Sequence, residues 1–332
     1  MKQLKDLRRK LFSGKHFKSL ILLYHHIAEI PIDPWEMAVT SKHFEDHLDV
    51  LANDYNIQPL SALSQQKDSY PQTTISLTFD DAYEDNYRNA FPLLKKLQLP
   101  ATFFVATKIL KNGHAFWWEV LEELLLGNIQ LPEKLTLTLQ GDLLYQCDIK
   151  PIETTTDRWS AWKGIAENQR QDIYLELAAK IKELPPDIQT KVTNQLLSWV
   201  GKKFSLSSAA NKMSAKQLIE VQQSGLIEIG AHTVNHPALG NLPEEAQLKE
   251  IKESKKQLET LLQAMVNSFA YPHGHYNELT KSLVEEAGFT MACTTEENSF
   301  DGYNDPLILP RIWIKDWEKD QFANEIKKWL QN

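Results

Sequence analysis

Cysteine is scarce: the chain of 332 residues has 2, Cys147 and Cys293, so no disulfide framework is available, and Cys293 reads as a small buried residue in a strand. Long apolar runs are missing too. None approaches the length of a transmembrane helix, and the stretch 19–24 is too short for a signal-peptide core and is needed as a strand, so a cytoplasmic protein is expected. Positive charge is in deficit, with Lys and Arg at 36 against Asp and Glu at 44 and a net charge of −8, which argues against general affinity for nucleic acid. There is no internal repeat, low-complexity tract or Gly-rich phosphate loop. What is present, at 42% hydrophobic content, suffices for one large core with material left over for an insertion.

Seven short apolar or β-branched runs, at 19–24, 74–79, 101–106, 226–230, 266–271, 289–293 and 307–309, are bounded by turn residues and read as strands. Helical spacing fills most gaps. Phe44, Leu48 and Leu51 follow the cap candidate Thr40; Phe91, Leu94 and Leu97 share a face, as do Leu248, Ile251, Leu258, Leu261 and Leu262; Asn277 begins a segment that Gly288 closes. Strands alternating with helices imply a parallel sheet, and in a closed β/α barrel chemistry gathers at the C-terminal ends of the strands.

Two clusters sit where apolar runs stop. Asp80 and Asp81 end one, and His232 with His236 end another far downstream. Two imidazoles and one carboxylate make an N/O donor set that suits Zn²⁺ or another first-row divalent ion and leaves positions open for water and substrate. The second carboxylate is then free to act as a general base. Either cluster alone has a plainer reading, a helix cap or a pair of structural histidines; it is their shared placement that points to a hydrolytic metal site.

The ordered motifs Leu77 to Asp81 with Tyr83 to Tyr87, Pro100 to Phe104, Glu228 to Pro237 and Phe269 to Gly274 closely resemble those of the polysaccharide deacetylase (NodB homology) family, carbohydrate esterase family four. The resemblance runs from about Ser19 to Ile314. It implies a distorted (β/α)7 barrel and a metal-dependent hydrolase of carbon–nitrogen, non-peptide bonds that removes acetyl groups from N-acetylated, or less favourably O-acetylated, sugars of a polysaccharide or its precursor. Carried over by position, it makes Asp80 the general base and Asp81, His232 and His236 the metal ligands, with Zn²⁺ preferred and Co²⁺, Ni²⁺ or Mn²⁺ as alternatives. The backbone N–H of His273 becomes an oxyanion donor.

The chain also departs from that pattern. Ala270 stands where the family usually has an arginine that orients the base, His273 stands in place of a tyrosine, and no histidine follows His275 to act as the usual late general acid. Arg311 is the candidate partner for Asp80, and His25, in the Tyr24-His25-His26 run that ends the first strand, is the candidate proton donor. Two rival readings remain: a degenerate family member that binds glycans without cleaving them, and a mononuclear iron enzyme built on the same two-His, one-Asp site.

The barrel is expected over 19–332, interrupted at 107–213 by an inserted, mainly helical subdomain with a hairpin turning at Gln140, Gly141 and Asp142 and a return helix capped by Ser214 and Gln217. Lying after the third strand, it would cover the barrel mouth. Trp117, Trp118, Trp159 and Trp162 there read either as its packing core or as surfaces that stack on sugars. Residues 1–18 carry seven Lys or Arg, with leucines at helical spacing, and read as a docked terminal helix or as a peripheral contact with an anionic membrane.

Overall fold

A computed structural model describes residues 18–65, 73–112, 115–151, 159–201, 204–300 and 304–331; all but the last residue of the basic segment 1–18 lie outside these. Twelve strands are described: β1 (Leu20–Tyr24), β2 (His26–Ile27), β3 (Ala38–Val39), β4 (Asn56–Ile57), β5 (Thr74–Phe79), β6 (Ala101–Val105), β7 (Lys134–Leu139), β8 (Asp142–Asp148), β9 (Ile227–Ala231), β10 (Ser268–Ala270), β11 (Met291–Cys293) and β12 (Ile312–Trp313). Seven form a parallel path in the order β11-β10-β9-β6-β5-β1-β12, with β4 beside the start of β5. Every residue of β1, β5 and β6 is buried, as near-continuous apolar strands require when both faces of a sheet are covered.

A parallel bridge between Cys293 and Leu309 joins the β11 edge to the segment leading into β12, so the sheet curls into the distorted (β/α)7 barrel of the NodB type. The seventh strand differs from expectation. Leu309 makes only that bridge, its N–H going to Ala292 O at 2.8 Å, and the ladder with β1 starts at Ile312. Pro310, lacking an N–H, separates the two pairings.

Along the strands, residues alternate between two clusters. Ile21, Phe104, Ala270, Cys293 and Leu309 belong to a small cluster, whereas Leu20, Leu22, Phe103 and Val105 belong to the large one, so the former face the barrel interior and the latter the helices. Gly230 has no side chain because the Phe104 ring fills the place: a Cβ there would lie 2.4 Å from its ring carbons.

Helix starts follow side-chain caps. Thr40, Ser214 and Asn277 each accept an amide hydrogen bond at the head of helices Ser41–Asp54, Ala215–Gln223 and Glu278–Glu286. Between β6 and Ala215–Gln223 come helix Trp117–Leu125, the β7/β8 hairpin, and helices Gln169–Lys182 and Pro186–Val200. Their buried residues, Tyr174, Leu177, Ile181, Val192 and Leu196 among them, are continuous with the barrel's core. A buried ion pair, Lys212 with Glu119, and the bonds Met213 N–H to Ala82 O (2.8 Å) and Glu84 N–H to Asn211 O (2.9 Å) tie this segment to the loop that follows β5.

Candidate active site

The parallel sheet brings β1, β5, β9 and β10 to one rim, where they end in His25, in Asp80 and Asp81, in His232, and in the turn carrying His273. The turn after β5 is unusual: Asp81 (φ 69°) and Ala82 (φ 51°) both lie in the left-handed region, a conformation that costs a non-glycine residue about 1–3 kcal/mol and persists only where its surroundings enforce it. Asp80 N–H bonds Tyr24 O at 3.0 Å and Met213 N–H holds Ala82 O, fixing the turn from both sides.

Asp81, His232 and His236 are buried, and their donor atoms lie within 4.8 Å of one another. His236 Nε2 is 3.3 Å and His232 Nε2 3.8 Å from Asp81 Oδ1. Donors bound at about 2.0–2.2 Å around a tetrahedral ion stand roughly 3.3–3.6 Å apart, so the spacing suits one. His232 Nδ1 donates to Ala270 O at 2.7 Å, which fixes its tautomer and leaves the Nε2 lone pair facing Asp81. Asp81 Oδ1 is buried with no hydrogen-bond partner. Burial and then the adjacent Asp80 push the Asp81 carboxyl well above the ordinary range, and burial holds His232 and His236 below theirs. Neutral imidazoles beside an unsatisfied carboxylate are the donor chemistry a divalent cation takes.

Asp80 differs from its neighbour. Both its oxygens accept from Arg311, Nη1 and Nη2 each at 2.8 Å, while Arg311 Nε donates to Thr294 O at 2.8 Å. Burial alone would raise the Asp80 pKa; the Arg311 guanidinium, helped by His232, more than reverses this and the carboxyl stays below its ordinary value. Arg311, the expected partner of Asp80, does not come from the rim. It precedes Ile312, which pairs with Leu22 in mid-strand, and its side chain is wholly buried, with the guanidinium 5.6 Å from the Phe104 ring. A long side chain rising through the barrel interior thus reaches the base from below.

His25 and His273 line the same cleft as Asp80 and Asp81. Burial lowers the His25 pKa to about 3, so the imidazole is neutral; its Nδ1 has no partner and its ring lies 4.7 Å from that of Trp313. His273 (φ 56°) occupies the turn Pro272–Gly274, 4.5 Å ring to ring from His236. The N–H groups of Gly274 and His275 are spent on Tyr271 O and Pro272 O, whereas that of His273 heads the turn and has no acceptor within it.

Glu250 escaped the sequence reading. From helix Glu244–Leu262 its carboxylate accepts the N–H groups of Val234 (3.0 Å) and Asn235 (2.8 Å), pinning the loop between the two histidines, where Thr233 (φ 66°) and His236 (φ 60°) are also left-handed. A glutamate on an amphipathic helix carries no signal that the fold will bury it. Trp117 and Trp118 are buried, with Phe116 and Trp118 packed on the His236 ring at 5.3 and 4.8 Å.

Residues 67–131 and 197–292 match the polysaccharide deacetylase family. YxkH of Bacillus subtilis, named for the same family, is 23% identical over 305 residues, covering 90% of this chain and 72% of YxkH. The poly-β-1,6-N-acetyl-D-glucosamine N-deacetylase of Staphylococcus aureus is 20% identical over 273 residues; the match covers 80% of this chain and 61% of that protein. Among solved structures, the Streptococcus pyogenes deacetylase PplD superposes with a TM-score of 0.59 at 20% identity, over 96% of this chain and all of PplD. IcaB from Ammonifex degensii gives 0.59 at 17% identity, over 95% of this chain and 98% of IcaB. A shared barrel, matched sequence on both sides of residues 132–196, and the carboxylate and histidine motifs at one rim place this chain in the polysaccharide deacetylase family.

Proposed function

We propose that this protein hydrolyses the N-acetyl group of acetylated sugars in a polysaccharide or its precursor, with a divalent cation, zinc in the first instance, held by Asp81, His232 and His236. The observation that carries the reading is the contrast between two adjacent buried carboxylates: Asp81 has an oxygen without a hydrogen-bond partner and faces two neutral histidines, whereas Asp80 is kept ionised by Arg311. The Staphylococcus aureus relative, named as a deacetylase of an N-acetylglucosamine polymer, supports the substrate class. A cation in this donor set would polarise the acetyl carbonyl and acidify a water for attack on it.

The chain's own groups divide the remaining work. Asp80, ionised and oriented by the two Arg311 bonds, accepts a proton from the attacking water. The free N–H of His273 donates to the oxygen on which negative charge develops. His25 is neutral at rest, so it brings no proton of its own. It serves the leaving nitrogen by relaying the proton that Asp80 has taken up, and the products are acetate and a free amine. Acetate release from N-acetylated oligosaccharides, measured after chelation and after addition of Zn²⁺, Co²⁺, Ni²⁺ or Mn²⁺, tests the proposal. Activity lost to chelator and restored by a metal supports it, and no release with any metal, or release indifferent to chelation, refutes it.

A further inference from the structure

We infer that the face of Trp162, braced edge to face by Trp313, forms a stacking platform for a sugar ring beside the one being deacetylated, so that the substrate is an oligomer or polymer; this rests on the deacetylase reading above. Trp162 is 55% exposed, unlike the buried Trp117 and Trp118, and therefore does not serve as core. Yet it is held rigidly. Its Nε1 donates to Trp35 O at 2.7 Å, and its ring meets those of Trp35 (5.1 Å, 83°) and Trp313 (5.5 Å, 88°) edge to face. The other two indoles are also satisfied internally, Trp35 Nε1 by the Tyr174 hydroxyl at 2.6 Å and Trp313 Nε1 by Glu36 O at 3.2 Å. Three braced aromatics with no polar atom left to satisfy offer apolar area at small entropic cost, as ring-stacking sites require.

Position supplies the rest. All three indoles line the cleft that holds Asp80 and Asp81, and the run from Trp162 through Trp313 to His25 leads toward those carboxylates. The cleft measures about 1110 Å³, above the roughly 300–1,000 Å³ that encloses a drug-sized ligand, so it has room for more than one ring. Lys182, Glu297 and Lys315 on the same walls provide hydrogen-bonding groups for hydroxyls. An exposed tryptophan isolated on a surface would need no explanation; one braced against the mouth of a catalytic cleft by two others does.

The test compares kcat/KM of the metal-loaded protein and of Trp162→Ala and Trp162→Phe on p-nitrophenyl acetate, on N-acetylglucosamine, and on its β-1,4- and β-1,6-linked tetramers. Trp162→Ala should lose roughly 3- to 10-fold more on a tetramer than on the ester or the single sugar, the worth of one aromatic contact, chiefly through KM, and Trp162→Phe should recover most of it. Equal loss on all probes, or no loss on a tetramer that the unaltered protein deacetylates, overturns the platform while leaving the deacetylase reading intact. Failure of the unaltered protein on every N-acetylated probe would overturn both.

Discussion

Replacing Arg311 by methionine removes the partner of a buried carboxylate without opening a large void. The guanidinium makes two 2.8 Å bonds to Asp80 and is wholly buried; charge-assisted bonds are worth about 1.5–3 kcal/mol each, and loss of one partner of a buried pair costs about 3–5 kcal/mol because the other charge is stranded. Arg311→Met should therefore lose about 3–5 kcal/mol in urea denaturation of the chelated protein at pH 7. The double variant Asp80→Asn/Arg311→Met, with no charge left to strand, should recover at least about half of that. The pH response should reverse as well. In the unaltered protein the Asp80 pKa is depressed, so its contribution is present above the unfolded carboxylate pKa and disappears as pH falls through the folded value. In Arg311→Met the chief counterweight to burial is gone, the pKa rises, and stability falls as pH climbs. The acidic limb of the pH–rate profile should move upward with it. A loss below about 1 kcal/mol, or a double variant as unstable as the single one, would refute the assignment of Arg311 as the group that holds Asp80 ionised.

Glu250→Ala frees the buried amides of Val234 and Asn235 and should weaken metal affinity by roughly 10- to 100-fold in a competition titration with a chelator; unchanged affinity would mean the loop holds its shape unaided. Asp316 accepts from Thr40 N–H at 2.8 Å and pairs with His43 at 2.7 Å; burial raises its pKa, but these bonds outweigh it and the net shift is downward. Its contribution is thus present above the unfolded carboxylate pKa and is lost as pH falls through the folded one. Asp316→Asn should flatten the acid side of the stability curve, and a curve of unchanged slope would contradict this.

The sequence revealed the barrel because apolar runs and caps are local. Thr40, Ser214 and Asn277 begin helices for reasons written within four residues, and Asp80 and His232 lie one step beyond buried strands. The misread features depend on the closed sheet. The strand expected at 307–309 contributes only a bridge to β11, the ladder to β1 begins beyond Pro310 at Ile312, and that register, rather than any motif, lets Arg311 approach Asp80 from inside the barrel. Burial, invisible in sequence, leaves the candidate proton donor His25 a neutral imidazole at rest. It likewise separates tryptophans that line the same cleft, leaving Trp117 and Trp118 buried and Trp162 half exposed.

The central claim is that two neighbouring aspartates have separate jobs, and the direct measurement is the metal content of purified Asp81→Ala and Asp80→Asn, with acetate release assayed on the same samples. Asp81→Ala should lose metal and activity together. Asp80→Asn should retain close to one metal per chain while its turnover drops by roughly 10²-fold or more, the usual scale for a general base. Equal metal loss in both variants, or an undiminished rate in Asp80→Asn, would contradict the account.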